Sequence, residues 1–126
     1  MGHMDSDEQL ARLRAIALAL PDAQEKLVVG HPAFYTRKVF AYYAMSYKEG
    51  DEIVRRPQAV SVLLPEDERL ALLQSGRAHR PMYIGPSGWI GLPVDANTDW
   101  DEIAELVEES YRQTAGAQRV RRLDSR

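Results

Sequence analysis

The stretch "WIGLPVDANTDWDEIAELVEESYRQTAG", residues 89–116, joins a strand pattern directly to a helix pattern. Ile90, Leu92 and Val94 alternate with other residues, which predicts a half-buried strand. Further on, Asp99 and Glu102 have the spacing of a helix capping box, and Gly116 is a natural helix end. One face of this helix carries Trp100, Ile103, Val107, Tyr111 and Thr114. The stretch therefore predicts an amphipathic helix that packs on a sheet.

The residues before this stretch repeat the alternation of helix and strands. Leu10, Leu13, Ala17 and Leu20 recur at helical spacing up to Pro21, and residues 66–75 favour a second, short helix. Strands are predicted in residues 24–45 and 60–64, and the polar residues 46–58 form a loop or a longer hairpin arm. Short connections between these elements predict a two-layer α+β domain, a mainly antiparallel sheet with helices packed on one face.

The length of 126 residues suits one domain. We expect that domain to span residues 5–116 and the basic residues 117–126 to form a flexible tail. The opening "MGHM", residues 1–4, is interpreted as the remnant of an expression tag.

Composition and charge exclude several classes of function. The chain has no cysteine, so disulfide scaffolds, thiolate zinc sites and thiol nucleophiles are excluded. No apolar run reaches the roughly 18 residues of a membrane span, and we expect a cytoplasmic protein with no membrane partner. The net charge of −3 means that any nucleic-acid binding must use a local basic patch.

The segment "YIGPSGWI", residues 83–90, predicts a tight hairpin with Pro86 and Gly88 in the turn. Beyond the turn, Trp89, Gly91 and Pro93 share one face of the strand, and Gly91 has no side chain to cover the indole. This pattern predicts an outward-facing aromatic surface formed by Trp89 and Tyr83. The alternative is that both rings pack under a helix or a loop.

Five motifs resemble the MmcQ/YjbR family when their order and spacing are taken together. They are "LPDAQEK" at residues 20–26, "GHPAFYTRKVFAYYA" at 30–44, "VSVLLPEDERLALL" at 60–73, "YIGPSGWIGLPVD" at 83–95 and "DWDEIAELVEESYR" at 99–112. The resemblance runs from about Leu10 to Thr114. It implies a fold similar to the frataxin-like (CyaY-like) proteins and the function of a double-wing DNA-binding group. It also implies basic contact residues before the glycine-rich turn, at Arg77, His79 and Arg80.

No motif assembles a catalytic or metal site. His31 and His79 lie far apart in the chain without cysteine companions, and no serine sits in a nucleophile elbow. The acidic residues of the first helix and the following turn are scattered rather than clustered as iron binding requires. We therefore expect no enzyme activity, no metal and no cofactor.

Two hypotheses of function follow. The first is a non-enzymatic DNA-binding protein that contacts phosphates through a basic patch beside the aromatic sheet face. The second is a small-molecule or peptide binding module that uses the face of Tyr83 and Trp89. A homodimer through the same face is a third option beside a monomer. The candidate contact residues are Lys38, Arg55, Arg56, Arg77, His79, Arg80, Tyr83 and Trp89.

Overall fold

A computed structural model describes residues 7–126, so the predicted tag remnant at residues 1–4 lies outside the described residues. The helices are α1 (Glu8–Ala17), α2 (Glu66–Gln74), α3 (Trp100–Thr114) and α4 (Ala117–Asp124). The strands are β1 (Gln24–Val28), β2 (His31–Tyr35), β3 (Val39–Tyr43), β4 (Tyr47–Glu49), β5 (Glu52–Val54), β6 (Ala59–Leu63) and β7 (Trp89–Pro93). A 3-10 turn at Gly85–Ser87 precedes β7.

The main sheet has five strands in the order β1-β2-β3-β6-β7, and every neighbouring pair is antiparallel. β4 and β5 form a separate two-stranded hairpin. The fold class predicted from the sequence, two-layer α+β with a mainly antiparallel sheet, is confirmed. The polar run 46–58 is the hairpin arm, the second of its two predicted forms.

Helices α1 and α3 cover one face of the sheet and enclose the main core. Phe40 and Tyr111 meet edge to face at 5.3 Å between ring centroids. Ser110 of α3 fastens the two layers, because its hydroxyl donates to the Phe40 carbonyl at 2.6 Å and accepts from the Leu63 amide at 2.9 Å. Leu72 and Leu73 of α2 pack at the border of the same core. This face is the one that the alternation of Ile90, Leu92 and Val94 predicts.

Residues 117–124 form helix α4, where the sequence predicts a flexible tail. Leu123 is 5% exposed and belongs to the main core cluster. Arg119 donates to Asp22 at 2.9 Å, and Arg122 contacts the same carboxylate. Arg112 of α3 also donates to Asp124 at 2.7 Å. Ion pairs in both directions therefore hold the segment against the domain.

The hairpin predicted across residues 83–90 is wrong for its first strand. Trp89 begins a strand and Gly88 has φ +96°, as predicted, but Tyr83 and Ile84 are not in a strand. Instead the Met82 amide donates to the Ser46 carbonyl at 2.8 Å. Residues 77–84 thus leave the edge of β7 and cross toward β4. This crossing segment covers the sheet face opposite the helices.

Candidate functional site

The sheet face that the sequence predicts to be exposed is covered by the crossing segment, residues 77–84. His79 pairs with Gly91 through two backbone hydrogen bonds of 2.9 and 2.8 Å. Its imidazole then folds over the Cα of Gly91, in the space where another residue would carry Cβ. Tyr47 stacks on the outer side of that imidazole at 3.7 Å.

Trp89 is consequently not an outward-facing ring, and the predicted aromatic surface is corrected. The indole is 8% exposed and meets Tyr42 edge to face at 5.0 Å. Its strand neighbour Gly91 leaves the indole flank bare, as the sequence indicated, but His79 fills the gap. Tyr83 behaves as predicted, because it is 84% exposed.

His79 cannot serve as a cationic contact near neutral pH. Burial lowers the pKa of its imidazole to about 4, so the ring is neutral. Its Nε2 atom is buried and makes no hydrogen bond within the described part of the chain. The role of His79 is to pack against Gly91 and Tyr47 rather than to bind an anion.

Arg77 is also unsuited to the predicted phosphate contact. Its guanidinium forms a two-point ion pair with Glu102 of α3, with one hydrogen bond at 3.0 Å and a second, shorter one. The same carboxylate holds the pKa of Arg77 above its usual value. The capping-box spacing is real for Asp99, which accepts from the Asp101 and Glu102 amides. Glu102, however, binds Arg77.

Arg80 differs from its two basic neighbours because it lies exposed between two concavities. One hollow, of about 480 Å³, has Arg69, Gly85, Gly88 and Trp89 in its wall. The second, of about 530 Å³, has Lys48, His79, Met82 and Tyr83 in its wall. Arg80, Pro81 and Pro86 belong to both hollows. The side chain of Arg80 makes no hydrogen bond or ion pair among residues 7–126, and neither does that of Lys48.

Gly88 of the turn leaves space for Arg69 in the wall of the first hollow. A Cβ on Gly88 would lie 2.6 Å from Nη1 of Arg69, so the bare backbone lets that guanidinium rest against the turn. A Cβ on Gly85 would lie 3.4 Å from the Cβ of Arg80. Arg69 retains a long ion pair with Glu66 at 3.7 Å. We call this region the Arg80 surface: Lys48, Arg69, Arg80, Tyr83 and the turn 85–88. Lys48 and Arg69 were not among the predicted contacts, since β4 and α2 give no sequence signal that they meet the turn.

The remaining predicted contacts lie elsewhere. Lys38 sits in the turn between β2 and β3, where a hollow of about 480 Å³ is also lined by Arg37 and Arg119. Arg55 and Arg56 follow β5. Burial lowers the pKa of His31, at the start of β2, and the positive charge of Arg56 lowers it further. The structure therefore joins Arg80, Tyr83 and the edge of Trp89 in one region and separates Lys38, Arg55 and Arg56 from it.

Within residues 7–126, no group of three or more His, Cys, Asp or Glu side chains is arranged to hold a metal ion. None of the helices in that range is long and apolar enough to cross a bilayer.

Comparison with known proteins identifies a family. The family model described as YjbR matches residues 18–113, which is more than half of the 126-residue chain. No curated protein and no solved structure matches the chain significantly. The matched range runs from the end of α1 almost to the end of α3, so it includes the whole sheet and the Arg80 surface. The chain belongs to the YjbR family.

Proposed function

We propose that this protein is a non-enzymatic DNA-binding protein that holds phosphate groups on the Arg80 surface. The observation that carries the proposal is the position of Arg80, an exposed guanidinium that borders two hollows and has no acidic partner among the described residues. A guanidinium can bind a phosphate with two parallel hydrogen bonds. Arg69 and Lys48 add positive charge on either side.

The overall charge of −3 is consistent with a local contact of this kind. Phosphate binding depends on the few cations that replace counterions on the nucleic acid, and each contact adds to the salt dependence of the affinity. Such contacts position the nucleic acid without selecting its sequence. We therefore expect a weak or absent sequence preference at this surface.

The test is binding of fluorescein-labelled DNA of mixed sequence, offered as a duplex and as a single strand, followed by anisotropy at several salt concentrations. Arg80→Ala should weaken binding several-fold and lower the slope of log K against log salt by about 0.7 to 0.9, one phosphate contact. Arg121→Ala is the matched control, because Arg121 is exposed on α4, away from the Arg80 surface. Absence of binding to either form at low salt would refute the proposal, as would equal losses in the two variants.

A small-molecule site is the second candidate, favoured by the edge of Trp89 in the wall of the first hollow. The volume of about 480 Å³ lies within the usual range for small ligands. In that case planar compounds should quench the tryptophan fluorescence equally at low and high salt. If DNA quenches the fluorescence, planar compounds do not, and added salt abolishes the quenching, the result supports DNA binding instead.

A further inference from the structure

We infer that the nucleic acid held on the Arg80 surface is an unpaired strand, with a phosphate between Arg69 and Arg80 and a base stacked on Tyr83. This inference rests on the proposed function and specifies its ligand. Three features of the surface support it: its concave shape, the acidic hairpin beside it and the exposed tyrosine.

The shape of the surface suits a single nucleotide chain better than a duplex. Protein elements that read duplex DNA are convex, since a helix or a two-stranded ribbon enters a major groove about 12 Å wide. The Arg80 surface is instead two adjoining hollows of about 480 and 530 Å³ with a shared wall at Arg80, Pro81 and Pro86. A phosphate and a splayed base can enter hollows of this size, whereas the stacked bases of a duplex cannot.

The hairpin β4–β5 is the projecting ribbon next to this surface, because Tyr47 pairs with Pro81 of the crossing segment. Its tip carries exposed Glu49, Asp51 and Glu52. A duplex has a phosphate charge for every 1.7 Å of its axis, so an acidic ribbon in or against its groove is repelled. A single strand has half that charge density and can lie in the hollows away from the tip.

Tyr83 supplies the stacking platform. It is 84% exposed and has φ +70°, an uncommon backbone conformation for a residue other than glycine. Trp89 is too deeply buried to stack with a base. Every base has a face that can stack on a phenol ring, so this contact suits single strands of any sequence. In a duplex the base faces are already stacked on one another.

The experiment compares a labelled oligothymidine of about 12 nucleotides with a duplex of the same length at low salt, by anisotropy. We expect the single strand to bind at least tenfold more tightly. Tyr83→Ala should weaken the single strand about tenfold and leave any duplex binding unchanged, and Tyr83→Phe should keep the wild-type affinity. Because Tyr83 is exposed, circular dichroism should show all three proteins folded.

The outcomes separate this inference from the proposed function. A duplex that binds as tightly as the single strand, in an Arg80-dependent manner, overturns the inference and leaves DNA binding in place. An unchanged single-strand affinity in Tyr83→Ala also overturns it. If neither form binds, both the inference and the proposed function fail.

Discussion

Gly91 and His79 are a matched pair whose fit explains why the central part of β7 carries a glycine. A Cβ on Gly91 would lie 3.0 Å from both Cδ2 and Cε1 of His79 and closer still to Nε2. The backbone of β7 is extended and pairs regularly with β6, so no special dihedral angle requires glycine there. The imidazole requires it. Stacking of Tyr47 on the other side prevents the ring from moving outward at low cost.

Gly91→Ala should therefore destabilise the protein by about 1–3 kcal/mol, the usual cost of overpacking. Urea denaturation measures this change as a lower midpoint at an unchanged slope. His79→Ala provides the matched control: in its background the added methyl group has space, and Gly91→Ala should cost much less. Strict additivity of the two substitutions would contradict the account, since residues in contact should show coupling.

The pair of Gly91 and His79 also shows which part of the site can be predicted from the sequence. Alternation along residues 89–94 correctly places Trp89 and Gly91 on one face and Ile90 and Leu92 on the other. It cannot say what covers the first face, because His79 arrives through an irregular segment twelve positions away in the chain. Irregular segments have no periodicity to detect. Exposure of Tyr83 was predicted correctly, and exposure of Trp89 was not.

Helix α4 is the element whose structure is hardest to predict from its composition. Three of its eight residues are arginine and one is aspartate, and charge of this kind is typical of a solvated tail. Two features distant in sequence make it a packed helix. Asp22, in the turn after α1, accepts from Arg119 and Arg122, and Leu123 belongs to the main core cluster. Partners about a hundred positions away cannot be read from a local pattern.

Leu123→Ala tests whether α4 is part of the folded domain. Removal of a side chain that is 5% exposed should cost about 2 kcal/mol, at the low end for a buried leucine because a terminal helix can adjust. For a chain of this length that corresponds to a fall of about 8 °C in Tm, measured by thermal unfolding. Gln118→Ala, on the exposed side of the same helix, is the control and should leave Tm unchanged. Equal Tm values for the two variants would show that α4 contributes nothing to stability.

Across the whole molecule, strand register sorts the basic residues between the two ends of the sheet. Ala41 lies opposite Val62, and Val62 lies opposite Ile90, so the start of β3 and the start of β7 are at the same end. The turn with Arg37 and Lys38 is therefore at the end where the 85–88 turn lies. Arg55 and Arg56 precede β6 and lie at the opposite end. Lys38, Arg55 and Arg56 were all predicted as contacts from the sequence, but their separation could not be predicted, because it depends on strand order.

This arrangement predicts a length-dependent contribution from Arg37 and Lys38 to DNA binding. β3 and β7 are two strand spacings apart, about 10 Å, so a strand anchored on the Arg80 surface needs about three more nucleotides, at about 3.4 Å each, to reach the β2–β3 turn. For an oligothymidine of about 20 nucleotides, Arg37→Ala/Lys38→Ala should lower the salt slope by about 1.4, two single-strand phosphate contacts. For one of about 2 nucleotides, which is too short to span that distance, the same variant should match the wild type.

Arg55→Ala/Arg56→Ala is the matched control, with the same charge removed at the other end of the sheet. It should leave the salt slope unchanged at both lengths, because a strand held at Arg80 and at the β2–β3 turn does not pass that end. If the two double variants reduce the slope equally for the long oligonucleotide, the loss comes from net charge and not from a path along the molecule. In that event the basic residues outside the Arg80 surface attract DNA only by long-range electrostatics, and direct contact with DNA is confined to the Arg80 surface.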